Sequence, residues 1–259
     1  QPIVPTSIGS KIIHQARTIF RETGQIENIL RDFIGDVSGI LKIGVLPTIA
    51  NALIPKLIRE VSENHPDLKL TIKEGLTNEI IEDLEHDRLD VGIVSTPVKQ
   101  SGLVVRNLYI EKFRIYAHPN HPSFSKKAWS ASDLLEDKLW LLSEGNCFRE
   151  QTINLCSLPD EKLNHLALSY ESGSLQTLKK IVDFEGGATI IPEWEASELD
   201  DSSLDNLRAF RTDDAGRAVG LIYTKFYAKD KIINRLEEMI MNCLPRYVAE
   251  NKDLNIIES

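Results

Sequence analysis

Two of the chain's three cysteines, Cys147 and Cys156, stand nine positions apart in the stretch Trp140 to Ser157, WLLSEGNCFREQTINLCS. A thiol attacks peroxide only as thiolate, so what matters is how easily its proton is lost. Cys147 follows Gly145-Asn146, a turn that could open a helix, and Arg149 stands two residues on. A helix N-terminus and a nearby cation both lower a thiol pKa. Cys156, close to Leu155 and Leu158, suits a resolving partner. A plainer reading stays open beside this one, that both are structural thiols, since free cysteine usually packs as a small hydrophobe. Cys243 lies on an apolar helix face and reads as core.

The spacing sets a geometric condition. In one continuous helix nine residues rise ~13 Å and turn a half-integral number of times, so the thiols face opposite ways. A disulfide requires Cα atoms within roughly 7 Å. If the segment is helical when reduced, joining the sulfurs means remodelling it.

Three further positions place a hydroxyl at the start of an expected helix directly after a strand: Thr48 in LPTIA, Thr77 in GLTNE, and Ser172 or Ser174 in ESGSLQ. Taken singly, each reads as an N-cap. Together they line a crevice at the carboxyl ends of strands, where helix N-termini offer N–H donors to a small polar or anionic ligand. Other candidates carry less. His118 and His121 in AHPNHP lack companions of zinc-ligand type and read as a solvated turn. The acidic residues Glu82, Asp83, Glu85 and Asp87 read as a helix face in water, Asp213-Asp214 as a loop, and Gly186-Gly187 as a helix C-cap feeding a strand. No GxxxxGK[ST], GxGxxG or GxSxG pattern is present, so neither an enzyme, a metal nor a cofactor is expected.

The elements that must position these residues follow from periodicity. Apolar residues three or four apart from Ser7 to Phe33 indicate an amphipathic helix, which serves as a linker over 1–35. Strands are expected at Ile40 to Leu46, Lys69 to Lys73 and Asp90 to Ser95, with helices at Ile49 to Ser62 and Asn78 to His86 between them. That alternation indicates a parallel sheet covered by helices on both faces. Later strands at Phe113 to His118 and Val219 to Tyr223 bracket a second α/β unit. It contains Leu139-Trp140-Leu141, the cysteine stretch, Leu166 to Ser169, a helix Leu175 to Asp183 and a strand Thr189 to Ile191. The chain then returns to the first unit and ends in a helix from Asp230 to Leu244. The division expected is 36–112 with 220–259, and 113–219.

Bulk properties narrow the function. The 259 residues are 42% hydrophobic and 27% charged, as in soluble globular chains. A net charge of -9 opposes gripping a phosphate backbone, which needs clustered Lys and Arg. No apolar run approaches the roughly 18 residues of a membrane span, and no signal-peptide layout opens the chain. It begins with Gln, so a natural start is expected upstream. Three cysteines in this length suit a reducing cytoplasm better than a secreted disulfide scaffold.

These residues resemble the LysR-type transcriptional regulators. VPTSIGSKIIHQARTIF is similar to that family's linker helix, and LKIGVLPTIANALIPKLI, LDVGIVS and SLQTLKKIVDFEGGATIIP to its effector domain. GNCFREQTINLC resembles the peroxide-sensing OxyR group, which has the same C-x8-C with Arg two residues after the first Cys. The resemblance implies two Rossmann-like α/β subdomains as in type 2 periplasmic binding proteins, crossed twice by the chain. It implies a homodimer or homotetramer that binds promoter DNA through an N-terminal domain missing here, RNA polymerase as a partner, and a thiol reductant such as glutaredoxin or thioredoxin. It further implies that hydrogen peroxide oxidises Cys147 to sulfenic acid, which forms a disulfide with Cys156 and activates antioxidant genes. Thr48, Thr77, Asn146, Arg149 and Gln151 match positions around the peroxide and the reactive sulfur. Asn146 is a departure, since many members carry His there. A LysR-type regulator gated by a small metabolite, with structural cysteines, is the alternative. A solute receptor outside the cytoplasm and a thiol peroxidase are two further classes.

Overall fold

The computed structural model describes residues 39–158, 173–211, 215–225, 230–252 and 254–259, with single positions between 6 and 23. The linker helix lies mostly outside the described residues, and the strand at 166–169, Ser172 and Asp213-Asp214 lie wholly outside them.

Strand β1 (Gly39–Val45) runs through Leu46 into α1 (Pro47–Asn64). Proline suits that first turn because its φ is already helical and it lacks only an N–H that would go unpaired. Strand β2 (Leu68–Glu74), α2 (Thr77–Glu85) and β3 (Val91–Thr96) follow, and β1 pairs in parallel with both β2 and β3. Every residue of β3 is buried, as in a strand covered on both faces.

The expected parallel sheet ends there. Strand β4 (Leu103–Ala117) and the late strand β8 (Ala215–Thr224) pair antiparallel with each other, and β8 is also antiparallel to β3. The sheet is therefore mixed, because β8 comes back from the second unit and meets β3 head to tail. Strand β4 is also longer than the expected strand at Phe113 to His118. Between its buried ends, Leu103 and Tyr109, its first half is partly or fully exposed, which diluted the apolar signal. Short strands β5 (Ala128–Trp129), β6 (Ala188–Pro192), β7 (Leu207–Phe210) and β9 (Asn255–Ile256) complete nine, in the order β2-β1-β3-β8-β4-β7-β5 with β6 on β4 and β9 on β8.

Two hydrophobic cores result. The first holds Leu41, Ile43, Leu53, Leu57, Val91 and Ile93, closed by Ile233, Leu236, Met239 and Ile240 of α8 (Asp230–Cys243). Burying each such side chain is worth about 1.5–3 kcal/mol, which explains why the chain returns to this core. The second holds Phe113, Ile115, Trp129, Leu178, Val182 and Ile190. Five other helices belong to this half of the chain: α3 (Ala131–Leu134), α4 (Cys147–Cys156), α5 (Leu175–Glu185), α6 (Glu193–Ser197) and α7 (Asp201–Leu204); α9 (Arg246–Ala249) follows α8. Strands β4 and β8 run through both cores: Tyr109 and Val219 sit in the first, Phe113 and Ala215 in the second.

Smaller expectations divide. Gly186 caps α5 and Gly187 leads into β6 with φ +83, where a Cβ would lie 2.3 Å from the Lys138 carbonyl oxygen. His121 is not solvated: it is buried and packs on Trp129 with ring centroids 4.3 Å apart. Asp83 is not in water either, since Lys73 and Arg88 both bind its carboxylate and hold its pKa below the usual range.

Candidate functional site

Helix α4 is continuous from Cys147 to Cys156, so the geometric condition drawn from spacing applies directly. Asn146 caps it, its side chain accepting the Phe148 N–H at 3.0 Å. Cys147 is thus the first helical residue, where free N–H groups point outward. Both cysteines are free thiols. Cys147 is partly exposed and packs against the first core, whereas Cys156 is 4% exposed in the second. One helix carries the two sulfurs into different cores.

Two of the hydroxyl residues occupy other positions than caps. Thr48 is the second residue of α1 and Thr77 the first of α2, with Leu46 and Leu76 as N-caps. Neither hydroxyl caps its own helix. The Thr77 hydroxyl acts on the Cys147 sulfur, pulling its pKa down. Thr48 Oγ1 accepts from Arg217 Nη1 at 2.8 Å, and its carbonyl accepts from Nη2 at 2.9 Å. Ser174 does cap, accepting the Thr177 N–H at 3.3 Å.

Arg217 is the group that sequence reasoning missed. It is fully buried, faces Glu111 across the β4/β8 ladder where the strands cross between cores, and its Nε donates to Glu111 Oε1 at 2.9 Å. Its guanidinium carbon lies 5.1 Å from the Phe148 ring centre. A usable signal existed: an arginine opening the otherwise apolar run Ala218 to Tyr223 requires a buried partner.

Electrostatics at the two sulfurs differ in kind. Burial pushes the Cys147 thiol above its ordinary value of 9.0, while Arg217, the Thr77 hydroxyl and the backbone N–H groups of Phe148 and Cys147 pull it down. Cys156 is pushed up to about 12 by burial alone. Burial also raises the Glu111 carboxyl, with Arg217 opposing.

Arg149 points elsewhere, its Nη1 donating to the Leu142 carbonyl at 3.0 Å. Gln151 is buried one turn below Cys147; its Nε2 donates to Ser95 Oγ at 3.0 Å and to the Ile257 carbonyl at 2.8 Å, and its Oε1 has no partner among the described residues. A cavity of about 550 Å³ opens between the N-terminal turns of α1 and α5, lined by Asn51, Ser174, Gln176 and Glu195 among others. Glu195 is held there by Asn51 and Gln176, each at 2.6 Å, and by Lys179 at 2.7 Å. Among the described residues no group of three or more His, Cys, Asp or Glu could hold a metal, and no helix is long and apolar enough to cross a membrane.

Residues 35–242 match the family model for the LysR substrate binding domain. The chain belongs to this family. Its mixed α/β fold with a curled sheet is the type 2 periplasmic-binding-protein architecture of the family's effector domains. It is 28% identical to a hydrogen peroxide-inducible genes activator of Haemophilus influenzae over 188 residues, 73% of this chain and 62% of that one. It is 29% identical to the HTH-type transcriptional regulator EstR of Acinetobacter baylyi over 73% of this chain and 61% of that one. The chain thus spans about three fifths of the length of the curated relatives it matches. The crystal structure of OxyR from Porphyromonas gingivalis superposes with a TM-score of 0.78 at 26% identity, covering 85% of this chain and all of that one.

Proposed function

We propose that this chain is the sensing part of a transcription regulator that responds to hydrogen peroxide through Cys147 and Cys156. The observation that carries this reading is the setting of Cys147: first in a capped helix, acted on by Thr77 and within the field of Arg217, with a second thiol at the far end of the helix. Thiolate attack on one peroxide oxygen breaks the O–O bond, leaves Cys147 as sulfenic acid and releases hydroxide, which is protonated to water. Cys156 sulfur then attacks the sulfenic sulfur, the S–S bond forms and water leaves. Thr48, Thr77 and Gln151 Oε1 supply donors and an acceptor for the peroxide, Arg217 offsets the developing negative charge, and Asn146 aims the helix end.

Helix α4 holds the two Cα atoms ~13 Å apart, so the disulfide forms only as this helix unwinds. The unwound segment changes the surface offered to a second copy of the chain, and through it promoter DNA bound by a preceding domain, contact with RNA polymerase, and reduction by glutaredoxin or thioredoxin. Mass spectrometry after mild peroxide should find the Cys147–Cys156 cross-link. Two thiols that both remain open to alkylation overturn this reading.

The cavity beside Glu195, together with the burial that raises the Cys147 thiol, favours a second reading. In it the chain is gated by a small metabolite and the cysteines only pack. Cys147→Ser separates the two, abolishing the response in the first and preserving it in the second.

A further inference from the structure

We propose that residues 254–259 form a strap released when α4 is remodelled, so that the redox state of the cysteines is passed to strand β8. This rests on the disulfide reading given above.

The strap is bound on two sides. Strand β9 pairs in parallel with β8, matching Asn255 and Ile256 to Ala215 and Gly216, and the Ile257 N–H donates to the Gly216 carbonyl at 2.9 Å. On its other side it hangs from α4: Gln151 Nε2 donates to the Ile257 carbonyl at 2.8 Å and Asn154 Nδ2 to the Glu258 carbonyl at 2.9 Å. The Ile257 side chain packs on the second core. Gly216 fits this docking, since a Cβ there would lie 2.9 Å from Leu254 Cδ1 and still closer to the Glu111 carbonyl oxygen.

The placement of the anchors carries the proposal. Positions 147, 151 and 154 fall on one helix face, at steps of four and three, so the strap lies along the same face as Cys147. Both anchors also lie inside the segment bounded by the two cysteines. Bringing those Cα atoms from ~13 Å to within roughly 7 Å breaks the continuous helix that lines Gln151 and Asn154 up with Cys147. Two side chains that hold consecutive strap carbonyls therefore lose their common alignment in the step that forms the disulfide. Gly216, which β9 covers, is the residue before Arg217 in β8.

Hydrogen–deuterium exchange of the whole chain tests this, with the disulfide content of each sample read by mass spectrometry. In the reduced protein, amides at 255–257 should exchange slowly; after peroxide they should exchange at least about tenfold faster. A sample carrying the Cys147–Cys156 bond with unchanged exchange overturns the strap and leaves the disulfide reading intact. A sample that forms no such bond overturns both. Asn154→Ala should raise exchange at 255–257 in the reduced protein, and unchanged exchange there counts against the anchor. Cys147→Ser should keep the strap protected with or without peroxide; release in that variant overturns the coupling.

Discussion

The two ends of α4 place the same side chain in opposite surroundings. At Cys147 burial is countered by a hydroxyl, two backbone N–H groups and a guanidinium; at Cys156 nothing counters it, and the thiol stands at about 12. Charge on sulfur is therefore supportable at one end and excluded at the other. On the proposed reading this difference suits the first sulfur to meeting an oxidant and the second to reacting only after it leaves its core. A thiol that stays protonated until the helix opens also protects the reduced state from chance oxidation.

The largest way to break this contrast is through Arg217. Arg217→Met leaves the Glu111 carboxylate buried without its cation, and loss of one partner of such a pair costs about 3–5 kcal/mol. Thermal unfolding should show that loss, and a double variant with Glu111→Gln should recover much of it. In the double variant Cys147 still lacks its opposing charge, so peroxide oxidation should slow even where stability returns. An unchanged rate would separate Arg217 from the sulfur's chemistry.

Alkylation at graded pH sharpens the contrast next. Because burial holds Cys147 above 9.0, thiolate is the minor form at neutral pH, and its labelling rate should rise about tenfold per pH unit up to at least pH 9. Cys156, at about 12, has roughly one thiolate in ten thousand molecules at pH 8, so it should label at least about tenfold more slowly in folded protein. Equal rates at the two sites would erase the distinction. Thr77→Val removes one hydrogen bond to sulfur, worth about 1 kcal/mol, and should slow peroxide oxidation of Cys147 about fivefold with little change in stability.

Much of this arrangement was readable in the residues, and the remainder fails for definite reasons. The apolar runs at Asp90 and Thr189 marked strands because each is buried on both faces, the run at Ile40 because its second half is buried, and the cysteine helix entered only as a condition on the spacing. The mixed sheet was not legible, because pairing direction depends on where a distant strand re-enters. Thr48 and Thr77 were placed at the right turns, read singly as caps and together as lining a crevice; the structure puts Leu46 and Leu76 at the caps and Thr48 against Arg217. Arg217 could stand out only as a charge opening an apolar run; its partner Glu111 is 106 positions away, so the pair itself could not be read.

Asn146 offers the smallest and most selective test. Its side chain satisfies the Phe148 N–H, and losing such a cap costs about 1 kcal/mol. Asn146→Ala should lower the unfolding midpoint by that amount and fray the turn that aims Cys147. Asn146→Asp keeps the acceptor and so should keep the stability, but it sets a negative charge beside the sulfur and raises the thiol further. Peroxide oxidation should then slow in the Asp variant while its melting stays near that of the parent, whereas the Ala variant melts earlier. If the Asp variant oxidises as fast as the parent while the Ala variant melts earlier, the residue acts only as a cap, and the special setting of Cys147 reduces to Thr77 and Arg217.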